Sequence, residues 1–187
     1  MDKTELKNLF ILFKVLDEKK LFIPLTQVEE FRWAEYHEII MKTLFGDAFS
    51  VLLDQRSNIR VPLKIPVEYV IKGRPVIKIE TMDISLFGMC VPLNPTVKVG
   101  SLVTIKFCIE CKKWIFKWKK KLIFEGRINW ASLAKNAMGI EFIQVTEKTR
   151  LHLFRIIYLY LERLVDAYNL ENTDTPDQKI HKSVPTL

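Results

Sequence analysis

The sequence predicts a mainly β fold with flanking helices: a six-stranded antiparallel β-barrel, preceded by a small helical region and followed by one C-terminal helix. Three observations carry this. Apolar residues recur at period two in short runs between about residues 61 and 142. They recur at helical spacing before residue 46 and after residue 146. Turn chemistry separates the runs.

From residue 3 to about 20, Leu6, Leu9, Phe10, Phe13 and Leu16 lie on one side of a helix and Lys7, Asn8 and Lys14 on the other. Thr26-Gln-Val-Glu29 is a capping box just after Pro24, and it starts a second helix that stops at Gly46. That helix carries Phe31, Trp33, Tyr36, Ile39, Ile40, Leu44 and Phe45; Asp47 is placed to cap a short third helix through Leu53. Two readings of these helices stay open. Their apolar faces pack on each other and on the barrel, or they present a membrane-surface contact or an output surface.

Val61, Leu63, Ile65, Val67, Tyr69 and Ile71 alternate with Lys64 and Glu68, the pattern of a strand buried on one face. Pro62 and Pro66 share the outward parity and point to an edge. Lys72-Gly73-Arg74-Pro75 is turn chemistry, and Val76 to Ser85 is a second β-rich run. A hairpin about Gly73-Arg74 sets Arg60 roughly opposite Phe87, so that Arg56 and Arg60 converge on Asp83, Ser85 and Gly88. Guanidinium groups stack on aromatic bases and fork phosphates. A carboxylate accepts from the N–H edge of guanine, a hydroxyl bonds base or phosphate, and a glycine permits close backbone approach. The set suits a purine nucleotide with exposed phosphates. The bland reading is a surface ion-pair cluster.

The strand pattern continues through Met89 to Leu93, then Val103, Ile105, Phe107 and Ile109, then Leu122, Phe124, Gly126, Ile128 and Trp130, and finally Met138, Ile140 and Phe142. Between the second and third of these runs lies Glu110 to Lys121, where Trp114, Phe116 and Trp118 share one parity with lysines interleaved. This stretch reads as a hairpin extension, as a partner or membrane-surface contact, or, least favoured, as a platform for single-stranded nucleic acid. From Thr146 the spacing turns helical: Leu153, Ile157, Tyr160, Leu164 and Ala167 form one stripe and Phe154, Leu161 and Tyr168 a second. The surplus of apolar surface makes a homo-oligomer through this helix one reading, and packing within the chain the other.

A net charge of +7 over 187 residues favours an anionic partner. Three cysteines do not make a disulfide framework; Cys108 and Cys111 are an odd number of residues apart on a strand, no histidine is near, and no metal site is expected. The three histidines suggest no catalytic pairing, and no P-loop is present. The charged start Met1 to Glu5 and the break at Lys14 leave no spanning segment there, and a reducing cytoplasm is the expected location.

Arg56-Ser-Asn-Ile-Arg60 followed by Asp83-Ile-Ser85-Leu-Phe-Gly88 resembles the RxxxR and (D/N)xSxxG motifs of the PilZ domain family, bacterial receptors for cyclic di-GMP. The resemblance extends over Gly126-Arg-Ile-Asn-Trp130 and Gly139-Ile-Glu-Phe142. It implies a PilZ-type barrel with its helix over 54–168; helical spacing makes 1–53 an N-terminal helical region, and polar composition makes 169–187 a disordered tail. It also implies a non-catalytic receptor without a cofactor, binding cyclic di-GMP through Arg56, Arg60, Asp83, Ser85 and Gly88 and passing that state to a protein partner. Gln55 stands where many members carry a further arginine, which leaves ligand stoichiometry open. The rival from another class is a PilZ-like adaptor that works through Trp114, Phe116 and Trp118 without nucleotide.

Overall fold

A computed structural model describes the backbone at residues 1–46, 59–113 and 116–168, and side chains at all of these except 108–120. The short helix expected after Asp47, the residues Arg56 and Trp114, and the tail from 169 lie outside the described residues. Helices of 18, 19 and 21 residues carry as much chain as the eight strands, so the fold is mixed α/β rather than mainly β. The chain divides into two compact units. One holds the N-terminal helices and the C-terminal helix from Tyr158 onward; the other runs from Arg60 to Ile157.

In the helical unit, α1 (Lys3–Lys20) begins at Asp2, whose carboxylate accepts the Glu5 N–H at 2.8 Å. It buries Leu6, Phe10, Phe13 and Asp17 along one stripe. The apolar pattern locates that stripe but not its last member, a carboxylate. Asp17 accepts the Trp33 indole N–H at 2.8 Å and the Tyr158 hydroxyl at 2.9 Å. Burial pushes its carboxyl above the usual range, against the pull of those two hydrogen bonds and of Lys20. The second helix, α2 (Gln27–Phe45), has the expected capping box and ends at Gly46, in the left-handed region at φ 74°. Its buried stripe is Trp33, His37, Ile40 and Met41, whereas Phe31 is 74% exposed. The His37 ring stacks on Trp33 and Phe13, with centroids at 5.0 and 5.7 Å, and burial pushes its pKa down to about 4, aided by the charge of Lys20. No helix among the described residues is long and apolar enough to cross a membrane.

The other unit is built on one antiparallel sheet of eight strands: β1 (Arg60–Val61), β2 (Pro66–Ile71), β3 (Ile77–Glu80), β4 (Asp83–Ser85), β5 (Gly88–Pro92), β6 (Leu102–Lys113), β7 (Phe116–Ser132) and β8 (Ala137–Ile143). Their order is β1-β4-β5-β8-β7-β6-β2-β3. The count is eight and not six because each of the first two predicted runs breaks in the middle. Prolines at 62 and 66 have no N–H for a ladder, and the Leu63 N–H turns back to the Val61 carbonyl at 2.7 Å. Thr81 fills the gap. Its hydroxyl donates to the Leu63 carbonyl at 2.5 Å and accepts the Ile65 N–H at 2.8 Å, and its own N–H donates to the Ile65 carbonyl at 3.0 Å. So β1 pairs with β4 while β2 pairs with β3 and β6, and Arg60 lies opposite Ser85 rather than Phe87. The shift is two residues, which preserves the face.

One register row crosses five strands through Val61, Ile84, Met89, Ile140 and Ile128, all essentially without exposure. Phe107, Phe124 and Phe142 pack beside it, with centroids from 4.6 to 6.2 Å apart. At their far ends β6 and β7 stay paired as far as Lys113 opposite Phe116, so the described backbone of the aromatic and lysine stretch is antiparallel strand. The last helix, α3 (Glu147–Ala167), starts at Thr146, whose hydroxyl accepts the Thr149 N–H at 3.2 Å. Of its first expected stripe Leu153, Ile157 and Tyr160 are buried, and of the second Phe154 and Leu161; Leu164 is half-buried and Ala167 exposed.

Candidate functional site

The β1–β4 pairing brings together residues 23 positions apart in the chain. The Arg60 Nη1 group donates to Asp83 Oδ1 at 2.9 Å, with the two side chains 25% and 30% exposed. Asp83 and Ser85 share a face because they are two apart on a strand. Arg60, in register with Ser85, belongs to that same face. A guanidinium has five N–H donors and a carboxylate about four acceptor sites. One contact therefore leaves most of both groups available, and a partly exposed pair of this kind is worth only about 1 kcal/mol or less. It is easily rearranged.

Ser85 and Gly88 are differently employed. The Ser85 side chain is 3% exposed. Its hydroxyl donates to the Gly88 carbonyl at 3.1 Å and accepts the N–H groups of Gly88 and Phe87 at 3.1 and 3.3 Å. It thereby fixes the tight turn from β4 to β5. At Gly88 a Cβ would lie 2.6 Å from the Ile140 carbonyl oxygen, so glycine is required by the approach of β8. The Phe142 N–H donates to the Phe87 carbonyl at 2.8 Å and secures the turn from the same strand. The motif's serine and glycine thus shape the backbone on which Asp83 is presented.

Sequence reasoning missed one member of this face. One residue along from the buried row, Asp83 lies opposite Cys90, Cys90 opposite Gly139 and Gly139 opposite Trp130. Alternation had put Trp130 on the face of Ile128. A register shift between Ile128 and Trp130 inserts one extra residue on β7 and turns the indole to the Asp83 face. There it is 38% exposed and covers Gly139, where a Cβ would fall 2.0 Å from the indole nitrogen. Strand spacing puts the ring about 10 Å from Asp83. Glycine inside a strand pattern was the available signal, since it marks close approach or a bulge. The face therefore holds a cation, a carboxylate and an aromatic surface, which fits a planar ring with N–H groups on its edge and anionic groups attached.

Arg56 and Trp114 are outside the described residues; Phe116 and Trp118 lie in the backbone of β7, and their side chains are outside the described ones. No curated protein sequence matches the chain. Among solved structures, it is similar to the inhibitor of motility MotI/DgrA from Bacillus subtilis at 14% identity and a TM-score of 0.45, over 59% of this chain and 51% of that one. The chain therefore spans about half the length of that protein. It is also similar to the PilZ domain of YcgR from Escherichia coli, solved with c-di-GMP, at 18% identity and a TM-score of 0.48, over 65% of this chain and all of that one. A third similarity is to the PilZ domain of CeSA from a cellulose-synthesizing bacterium, at 20% identity and a TM-score of 0.42, over 54% of this chain and 95% of that one. The family model for the PilZ domain matches residues 54–159, more than half of the sequence and the whole of the site just described, and the chain belongs to the PilZ domain family.

Proposed function

We propose that this protein is a receptor for cyclic di-GMP that passes the ligand-bound state to a protein partner. PilZ domains are non-catalytic receptor or effector domains, and the role of the site is recognition. Arg56 and Arg60 stack on guanine and contact phosphate, Asp83 accepts from the N–H edge of the base, and Ser85 and Gly88 hold the loop. Trp130 supplies an aromatic wall farther along the face. The observation that carries this reading is the Arg60–Asp83 contact at 2.9 Å, which joins the second arginine of one motif to the first residue of the other.

We read the sheet as a closed PilZ-type barrel. The strand order begins at β1 and ends at β3, yet β1 runs directly into β2 and β3 into β4, and Thr81 ties the two crossings together. Residues 54–168 form the receptor domain in this scheme, working in the cytoplasm. Residues 1–53 form the region whose position the ligand alters by drawing the Asp54 to Arg60 linker across the barrel mouth.

Calorimetric titration with cyclic di-GMP tests the reading. The native protein is expected to bind and Arg60→Ala to lose at least about a hundredfold in affinity, since the variant removes a charged donor and leaves Asp83 without its partner. No binding by the native protein, or undiminished binding by the variant with its thermal midpoint unchanged, overturns the proposal.

A further inference from the structure

A second guanidinium stands at the motif turn, supplied by the helix that follows the sheet. Arg150, one turn into α3, places its guanidinium carbon 5.2 Å from the centre of the Phe87 ring. Phe87 lies between Ser85 and Gly88, 41% exposed, with its N–H on the Ser85 hydroxyl and its carbonyl on the Phe142 N–H. The backbone that carries the ring is held on both sides, and the Arg150 guanidinium lies over the ring.

The state of this arginine differs from that of Arg60. Arg60 is neutralised by Asp83. Among the described residues no carboxylate pairs with Arg150, and its Nε is buried without a hydrogen-bond partner. A buried N–H of a charged group left unpaired is costly, and such groups are rare enough in folded proteins to require an explanation. A cation–π contact with Phe87 occupies none of the N–H donors of the guanidinium. A cation without a carboxylate partner among the described residues, held beside the turn that presents Asp83, is suited to a phosphate oxygen.

We propose that Arg150 is a ligand-binding residue of this site: it donates its N–H edge to a phosphate of the bound nucleotide, with Phe87 as the platform that orients it. The inference rests on the receptor reading above and adds a residue outside both sequence motifs. Ligand binding then pairs a cation that has no carboxylate partner among the described residues. It also ties the first turn of α3 to the β4–β5 turn.

The test is cyclic di-GMP calorimetry on the native protein, Arg150→Ala and Arg150→Lys, at low and high salt, with thermal midpoints of each in the absence of ligand. Arg150→Ala is expected to weaken binding by about ten- to hundredfold. The salt dependence of its affinity should be shallower than that of the native protein, because one cation facing the phosphates is gone. Its midpoint without ligand should stay level or rise, and Arg150→Lys should recover the salt dependence but only part of the affinity. Native-like affinity and salt dependence in Arg150→Ala overturn this inference and leave the receptor reading standing, as does a lowered midpoint with affinity unchanged, which marks a purely structural clamp. Failure of the native protein to bind overturns both.

Discussion

Asp17 and Asp83 are both carboxylates that accept from a nitrogen donor at close to 2.9 Å, and they have opposite uses. Asp17 is 5% exposed; its two oxygens are each taken by a donor from a different helix, Trp33 on α2 and Tyr158 on α3, and Lys20 lies 3.6 Å over the Trp33 ring. Asp83 sits on an open strand face with one partner and spare acceptor sites. In a low-dielectric interior polar groups are costly unless every partner is fixed, and the three-way arrangement at Asp17 specifies how three helices meet. On the open face an ion pair adds little stability but stays free to exchange partners. A closed network fixes a shape, and an open pair is what the proposed function requires of a ligand site.

The largest expected effect tests the closed half of that contrast. Asp17→Ala removes two hydrogen bonds to a buried carboxyl acceptor and leaves the Trp33 N–H and the Tyr158 hydroxyl buried. A loss of about 4 kcal/mol in unfolding free energy is expected, measured by urea denaturation. Cyclic di-GMP affinity of the folded variant should change less than about twofold, since the mutated group belongs to the other unit. A stability change near zero would show that the network is replaceable and that the contrast is false.

His37 offers a second test of the same network. Its folded pKa is depressed from 6.5 to about 4, so the fold favours the neutral ring. The stability this represents is complete above the unfolded value near 6.5 and is lost as pH falls toward 4, because the unfolded chain takes up the proton first. Between pH 7 and pH 5 the loss is about 2 kcal/mol. Asp17, whose carboxyl is raised by burial, acts with the opposite sign: its ionised form is the one the fold disfavours, and protonation on the acid side relieves it. Urea midpoints at the two pH values should therefore separate in the native protein and draw together in His37→Phe, which keeps the stacking with Phe13 and Trp33. A variant with the native pH slope would assign that slope to other groups.

Much of the open half was legible in the sequence, for physical reasons that also mark where legibility stopped. Period two placed Val61, Leu63, Ile65, Val67 and Tyr69 inward, and all five are buried. Capping chemistry located the start of α2 at Thr26. The hairpin argument brought Arg60 to the (D/N)xSxxG turn within two residues of its true register. What it missed were breaks in periodicity: the prolines that divide β1 from β2, and the bulge that carries Trp130 to the other face. One inserted residue reverses every side chain beyond it, and period counting has no means to detect the insertion. Asp17 was missed because a carboxylate does not register in an apolar pattern, although its spacing from Phe10 and Phe13 put it on the buried stripe. Arg150 escaped because its partner is distant in sequence.

The smallest expected effect falls where the two kinds of polar group meet. Ser85 lies on the motif yet is buried and fully engaged, as Asp17 is, through the Gly88 carbonyl and the N–H groups of Phe87 and Gly88. If its task is to shape the turn, Ser85→Ala loses about 1 kcal/mol of stability, and affinity for cyclic di-GMP falls by less than about tenfold as the turn loosens around Asp83. If the hydroxyl instead leaves the turn to bond the ligand, affinity drops by more than tenfold while stability is unchanged. Urea denaturation and calorimetry on the one variant separate these outcomes. The geometry favours the first: a hydroxyl has one proton, the Gly88 carbonyl already holds it, and both neighbouring N–H groups point at the same oxygen. Releasing it toward a ligand would leave three backbone groups unsatisfied in order to gain one contact, so Ser85 belongs to the shape of the turn, and under the proposed function recognition begins at Asp83.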